Sequence, residues 1–224
     1  MSDGRSMVAQ HWEGVYGTKS DAELSWFEPA AEQSLALIKR LSPCPRRIID
    51  VGGGQSALAA GLLALPEWQD AACAVLDISP TAIDRARARA GATAARIRWV
   101  VGDVLGDEFI GALADAHLGA FDLWHDRAVF HFLVDPDDRA RYARRAAEAV
   151  APHGFAIIGA FAPDGPERCS GLPVQRHDAA SIVAAMGPAF SLVGTAQQTH
   201  VTPWGKPQSF AWAVLQRRGD PCSG

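Results

Sequence analysis

The sequence predicts an α/β protein built on a doubly wound, mostly parallel, seven-stranded sheet with an antiparallel C-terminal edge strand. Three observations predict it. From Arg47 onward, short apolar or β-branched runs alternate with helical stretches; a glycine-rich turn follows the first run; and two strand-like runs close the chain with no helix between them. Strands separated by helices pair in parallel through right-handed crossovers, which places helices on both faces of one sheet. A chain of 224 residues that is 48% hydrophobic suits one domain with a full-sized core.

The elements follow in order. Residues 1–28 carry Trp12, Tyr16, Trp26 and Phe27 among few aliphatics, and read as an aromatic lid segment ahead of a single domain over 29–224. A helix is expected over roughly Pro29 to Leu41, with proline at its start and Leu35, Ile38 and Leu41 at helical spacing; Pro43 and Pro45 end it. Strands are expected at Arg47–Val51, Ala74–Asp77, Ile97–Val101, Phe121–Trp124 and Phe155–Phe161. Between them, Ser56 precedes ALAAGLLAL, which Pro66 closes, and Ser79-Pro80 opens a helix that Gly91 ends. Asp135-Pro136 opens another, running to about Val150 before Pro152-His153-Gly154. A short helix around Asp178–Met186 leads into FSLVGTAQQTHV and QSFAWAVLQRR, an antiparallel pair around Pro203-Trp204-Gly205-Lys206. Ala162–Arg176 has no periodicity and is long for a connection, which favours a functional loop.

Several function classes are disfavoured by composition. No apolar run approaches the length of a membrane helix, and the N-terminus lacks the apolar core of a secretory signal. Lys+Arg 21 against Asp+Glu 25 leaves no basic excess for nucleic acid. Cys44, Cys73, Cys169 and Cys222 are scattered without CxxC spacing, which disfavours structural zinc and a disulfide framework and points to a reduced, cytoplasmic protein. No metal is expected.

The sharpest feature is RIIDVGGGQSA over Arg47–Ala57, a strand running into glycines and then a helix. In an open α/β sheet a nucleotide-like ligand lies at this first strand–turn–helix. Two ligands compete for it. Gly52, Gly54 and Ala57 fit the dinucleotide fingerprint, whereas Asp50, Gly52, Gly54 and Ser56 fit D-x-G-x-G-x-S, a pattern for S-adenosylmethionine. Asp50 decides between them, because its carboxylate would repel a pyrophosphate and attract the ammonium of a methionine moiety. Asp77 ends the second strand, where a carboxylate accepts both ribose hydroxyls, and Ile78 then lies against the adenine. Asp103, followed by Val104, ends the third strand within reach of the adenine amino group. Acidic residues at the ends of three successive strands carry the argument as a set.

In these residues the chain resembles the class I S-adenosylmethionine-dependent methyltransferases, from roughly Trp12 to the C-terminus. The glycine motif matches at Asp50, Gly52 and Gly54, with Gly53 between them and Ser56 in place of the third glycine. The acidic residues of the second and third strands map to Asp77 and Asp103. HWEGVYGTKSDAELSWFE followed by FDLWHDRAVFHFL is similar to a bacterial branch of uncharacterised methyltransferases, distantly similar in turn to eukaryotic lysine methyltransferases. Those carry D-K-G-T after the fourth strand; here Asp126-Arg127-Ala128-Val129 stands there, so a lysine acceptor does not carry over. The resemblance implies an N-terminal segment, with Trp12 and Trp26, over the cofactor and acceptor.

Methyl transfer from a sulfonium is an in-line displacement that needs a positioned, desolvated nucleophile. The groups beside the methyl should come from the end of the fourth strand: His125 and Asp126 are the catalytic candidates, and His125 also reaches the cofactor through its backbone. Tyr16, His131 and Cys169 are candidates for the acceptor pocket, although packing is the favoured reading for His131 between Phe130 and Phe132, and a lone cysteine is more often inert. Arg85, Arg87 and Arg89 read as a solvated helix face. The expected function is methyl transfer from S-adenosylmethionine, leaving S-adenosylhomocysteine, to a small-molecule thiol, amine or metalloid. A protein lysine methyltransferase is the alternative, ahead of an NAD-dependent oxidoreductase or an inactive cofactor-binding module.

Overall fold

A computed structural model describes residues 2–107, 109, 111 and 120–219; Cys222 lies outside them. Five parallel strands form the body of one sheet: β1 (Arg47–Val51), β2 (Ala72–Asp77), β3 (Ile97–Val101), β4 (Phe121–Arg127) and β5 (Val150–Phe161). Two tiny strands, β6 (Arg168–Cys169) and β7 (Leu172–Pro173), form a separate hairpin in the long loop. The sheet is completed by β8 (Phe190–Val201) and β9 (Pro207–Arg217), in the order β3-β2-β1-β4-β5-β9-β8. The antiparallel edge pair is present, with the C-terminal strand β9 one place in from the edge: it runs antiparallel to both neighbours, and β8 is outermost.

Both faces are covered, which is why β1, β2 and β4 are apolar on each side. On one face Ile49, Leu76, Trp124 and Ile158 pack with Tyr142 and Ala146 of α5 (Pro136–Ala149) and with Ile182 of α6 (Ala179–Met186). On the other, Ile48, Val75, Leu123 and Ile157 pack with α2 (Glu32–Ile38) and α3 (Leu58–Leu63). The helix starts are chemically marked: Asp135 accepts from Asp137 N–H, Asp178 and Ser181 form a reciprocal cap, and Ser79 accepts from Ala82 N–H to open α4 (Pro80–Ala90).

The structure differs from the sequence reading at several boundaries. Helix α2 is shorter than Pro29–Leu41, because the chain before it is engaged by tertiary contacts: Glu28 accepts from Arg127, Gln198 and His200. Strand β5 begins at Val150, with a register shift past Pro152-His153-Gly154 against β4. A helix not anticipated at the N-terminus, α1 (Ser2–Thr18), lies against α4. Val8, Trp12 and Tyr16 recur every fourth residue there, and that spacing was the available signal. Among the described residues no helix is long and apolar enough to cross a membrane.

Candidate active site

Parallel pairing brings the C-terminal ends of β1 to β4 to one edge, with Asp77 opposite Val101 and Val51 opposite Asp126. A cavity of about 800 Å³ opens there under α1. Gly52, Asp77, Ile78, Asp103 and Val104 line its floor, Trp12, Tyr16 and Trp26 its roof, and Arg127, Phe132 and Cys169 one wall. The roof is a packed aromatic group: Trp12 lies edge-on to Trp26 (centroids 5.7 Å apart) and to Phe132 (5.0 Å).

The glycines solve a steric problem. Gly52 has φ +67°, and a Cβ on it would fall on Val129 Cγ2. Gly54 donates its N–H to Asp77 Oδ2 at 3.0 Å; a Cβ at Gly54 would lie 2.5 Å from Ala82 Cβ and 2.6 Å from that carboxylate. Asp77 Oδ1 accepts from Ser79 N–H at 2.9 Å. Burial pushes the Asp77 carboxyl up to about 6, against the lowering pull of these N–H groups. Asp103 lines the cavity and accepts from Leu105 N–H.

Behind the glycine turn lies a second cavity of about 40 Å³, and Gly52, Trp26 and Arg127 line both spaces. Asp50, Ser56, Gln55, Ser34, His125 and Glu28 also line the smaller one, with Ala31 and Ala57. Three buried polar atoms around it have no hydrogen-bond partner: Asp50 Oδ2, Gln55 Nε2 and Arg127 Nε. One acceptor and two donors buried without a protein partner are costly unless a bound group satisfies them. Together they match the ammonium and carboxylate of an amino-acid end, so the residues present fit the methionine moiety of S-adenosylmethionine.

The placement of His125 and Asp126 corrects the expectation that they act on an acceptor. Alternation along β4 points them to opposite faces. The His125 ring is 2% exposed and faces α2, with Nδ1 2.7 Å from Asp50 Oδ1 and Nε2 2.8 Å from Ser34 Oγ, so its side chain is outside the main cavity. Asp126 is fully buried on the α5 face, where it accepts from Val129 N–H, Phe130 N–H and Tyr142 Oη–H. It fixes the turn after β4 and does not face the main cavity. His131 is likewise outside it: its Nδ1 accepts from Phe161 N–H, its ring stacks on Phe161, and burial drops its pKa to about 3.

Tyr16 and Cys169 do line the cavity. Burial raises the Tyr16 hydroxyl well above its usual range and pushes the Cys169 thiol up to about 11, so both keep their protons at neutral pH. Arg127 is a site residue to which the sequence analysis assigns no role. Its actual partners are Glu28 Oε1 and the Trp26 carbonyl, each at 2.8 Å, with the guanidinium over Phe210. Its place at the C-terminal end of the fourth strand was the available signal. Arg87 and Arg89 are exposed, as expected of a solvated helix face, but Arg85 and Arg89 also donate to the Lys19 carbonyl and to Asp21.

Comparison with known proteins agrees with this geometry. Residues 48–154 match the family described as Methyltransferase domain, a span holding the glycine turn, Asp77, Asp103 and Arg127. No curated protein matches the chain. Among solved structures, an S-adenosylmethionine-dependent methyltransferase from Anabaena variabilis matches with TM-score 0.74 and 17% identity, over 94% of this chain and 95% of that one. A structure concerned with conversion of a disulfide bond into a thioacetal group during echinomycin biosynthesis matches with TM-score 0.71 and 20% identity, over 96% and 95%. The N-methyltransferase NodS from Bradyrhizobium japonicum, in complex with S-adenosylhomocysteine, matches with TM-score 0.63 and 17% identity, over 93% and 97%. At these identities the structural likeness is one of fold; the domain match adds the activity. Residues 48–154 therefore form a methyltransferase domain on the fold of known S-adenosylmethionine-dependent methyltransferases, and the chain is a methyltransferase that uses S-adenosylmethionine as cofactor.

Proposed function

We propose that the protein methylates a small-molecule acceptor (a thiol, amine or metalloid) held between the cofactor and the lid formed by residues 1–28. The observation that carries this reading is the roof of Trp12, Tyr16 and Trp26, which with Phe132 encloses the cavity on the side away from the strand ends. A roof of packed rings excludes water from a nucleophile and favours a compact guest. Two of the structural neighbours concern a small-molecule biosynthesis and an N-methyltransferase by their own descriptions, which agrees with such a guest.

S-adenosylmethionine, when bound, supplies a methyl group on a positively charged sulfur. The chain's residues bind and orient. Asp77 accepts the ribose hydroxyls, Ile78 and Val104 flank the adenine, and Asp103 accepts its amino group. Asp50, Gln55 and Arg127 hold the amino-acid end through the three atoms left without partners. Tyr16 and Cys169, protonated at neutral pH, offer hydrogen-bond donors and packing rather than a base. A soft nucleophile needs least help in such a pocket.

The test is transfer of a labelled methyl group to a panel of small thiols, amines and metalloids, run beside a cell extract. Label in small or volatile products is expected. Label confined to protein bands would overturn the small-molecule reading in favour of a lysine methyltransferase.

A further inference from the structure

The lid is fastened to Ser79, the N-cap of α4, and to a stripe of that helix, Thr81, Arg85 and Arg89, spaced four apart. Glu13 Oε2 accepts from Ser79 Oγ–H at 2.6 Å and from Thr81 N–H at 3.2 Å, while Oε1 accepts from Thr81 Oγ1–H. Arg85 donates to the Lys19 carbonyl at 2.7 Å, and Arg89 to Asp21 Oδ2 at 2.8 Å. Both ends of this attachment also touch groups of the cofactor site. Ser79 gives its N–H to Asp77 and its hydroxyl to Glu13. Arg89 gives a second hydrogen bond to the carbonyl of Gln55, whose side chain borders the smaller cavity. Glu13 itself sits beside Trp12 and one turn before Tyr16.

We propose that Glu13 is a positioning residue that ties closure of the N-terminal lid to occupation of the ribose end of the cofactor site, through Ser79. The proposal rests on the reading of Asp77 as the ribose partner. Two ribose hydroxyls donating to Asp77 fix the orientation of its carboxylate, and with it the Oδ1 that accepts from Ser79 N–H. Ser79 is then fixed with its hydroxyl aimed at Glu13, and the lid is held down at the point from which Trp12 and Tyr16 project over the cavity. By reciprocity, a lid released from Ser79 loosens the loop that carries Asp77. The acceptor pocket is therefore complete only when the cofactor is in place.

The test is a double-mutant cycle read by calorimetry with S-adenosylhomocysteine, using Glu13→Gln, Asp77→Ala and the double variant. A glutamine at position 13 keeps one acceptor oxygen but loses the charge and the second acceptor, so the hydrogen bonds from Ser79 and Thr81 weaken. Glu13→Gln alone should weaken binding about five- to tenfold, and in the Asp77→Ala background by no more than about twofold. Amide hydrogen exchange supplies a second readout. S-adenosylhomocysteine should protect residues 12–18 in the wild type and leave them unprotected in Glu13→Gln, while Glu13→Asp restores part of the protection. The same fold-loss in both backgrounds, or unchanged protection in Glu13→Gln, overturns the proposal alone. An Asp77→Ala protein that binds S-adenosylhomocysteine like the wild type overturns the ribose reading, and the proposal falls with it.

Discussion

Asp77 is gripped by two backbone N–H groups and buried deeply enough that its carboxyl sits near 6, so at neutral pH it is ionised but weakly solvated. A carboxylate in that condition gains from every donor a ligand brings. Asp77→Ala removes two charge-assisted hydrogen bonds, about 1.5–3 kcal/mol, and S-adenosylhomocysteine affinity measured by calorimetry should fall at least about tenfold while the thermal transition stays cooperative. Asp126 is the contrasting case. Its oxygens are taken by Val129 N–H, Phe130 N–H and the Tyr142 hydroxyl, and nothing from the main cavity reaches it. Asp126→Asn places an amide hydrogen against one of those donors, so denaturant unfolding should show a loss of about 1–3 kcal/mol, with S-adenosylhomocysteine affinity within about twofold of the wild type. The two aspartates look alike in the sequence, each at a strand end. Alternation along β4 says that His125 and Asp126 point to opposite faces, but not that helices α2 and α5 take both side chains away from the ligand.

At the scale of elements, the way α1 is held bears on the proposed lid. Val15, Tyr16 and Leu24 are buried with Ala82, whereas Met7 is 64% exposed, so the helix is bound along one side only. Residues 19–28 are more deeply involved, through Leu24 and the Glu28–Arg127 pair. Removing residues 1–18 should leave a protein that melts in a single transition yet binds S-adenosylhomocysteine weakly and transfers no methyl group. Full activity after that deletion would count against the lid. The helix escaped the sequence reading because its aromatics stood out as a composition and hid their spacing. The lid's attachment to α4 was hidden for a different reason: Arg85 and Arg89 reach Lys19 and Asp21 across more than 60 residues of chain, and nothing local marks a partner at that separation. Strands β1 to β3 were legible because they are short apolar runs closed by Gly52, by Ser79-Pro80 and by Gly102, whereas β4 and β5 extend past the apolar runs that mark them.

The whole molecule carries buried titratable groups whose effects on stability oppose one another. Burial lowers His131 to about 3 and His177 to about 4, while an unfolded histidine titrates near 6.5. As pH falls through the window from about 6.5 to 4, the unfolded chain takes up protons that the folded one refuses, so these histidines cost stability on acidification. Asp77 and Asp126, both raised to about 6, act in the reverse sense: between about 4 and 6 the folded state holds more protons, and acid favours it. Replacing His131 by Gln removes one histidine contribution. The urea midpoint of that variant should fall less steeply from pH 6.5 to 4 than the wild type's; equal slopes would show that His131 is charged in the fold.

The place of β9 in the sheet bears on how the protein is made. Strand β5 is complete at residue 161, but the neighbour that pairs with it from Phe155 to Phe161 is β9, which ends at Arg217. During synthesis, β5 therefore leaves the ribosome with one edge bare and keeps it bare while some fifty further residues are added. Over that interval β8, the next long strand to emerge, is the nearest candidate to dock there, and in the native order it has no direct pairing with β5. The nascent sheet is thus exposed to a mispairing that only the arrival of Trp212 and its neighbours can displace, and translation pauses or cleavage between residues 201 and 207 would fall at its most vulnerable moment.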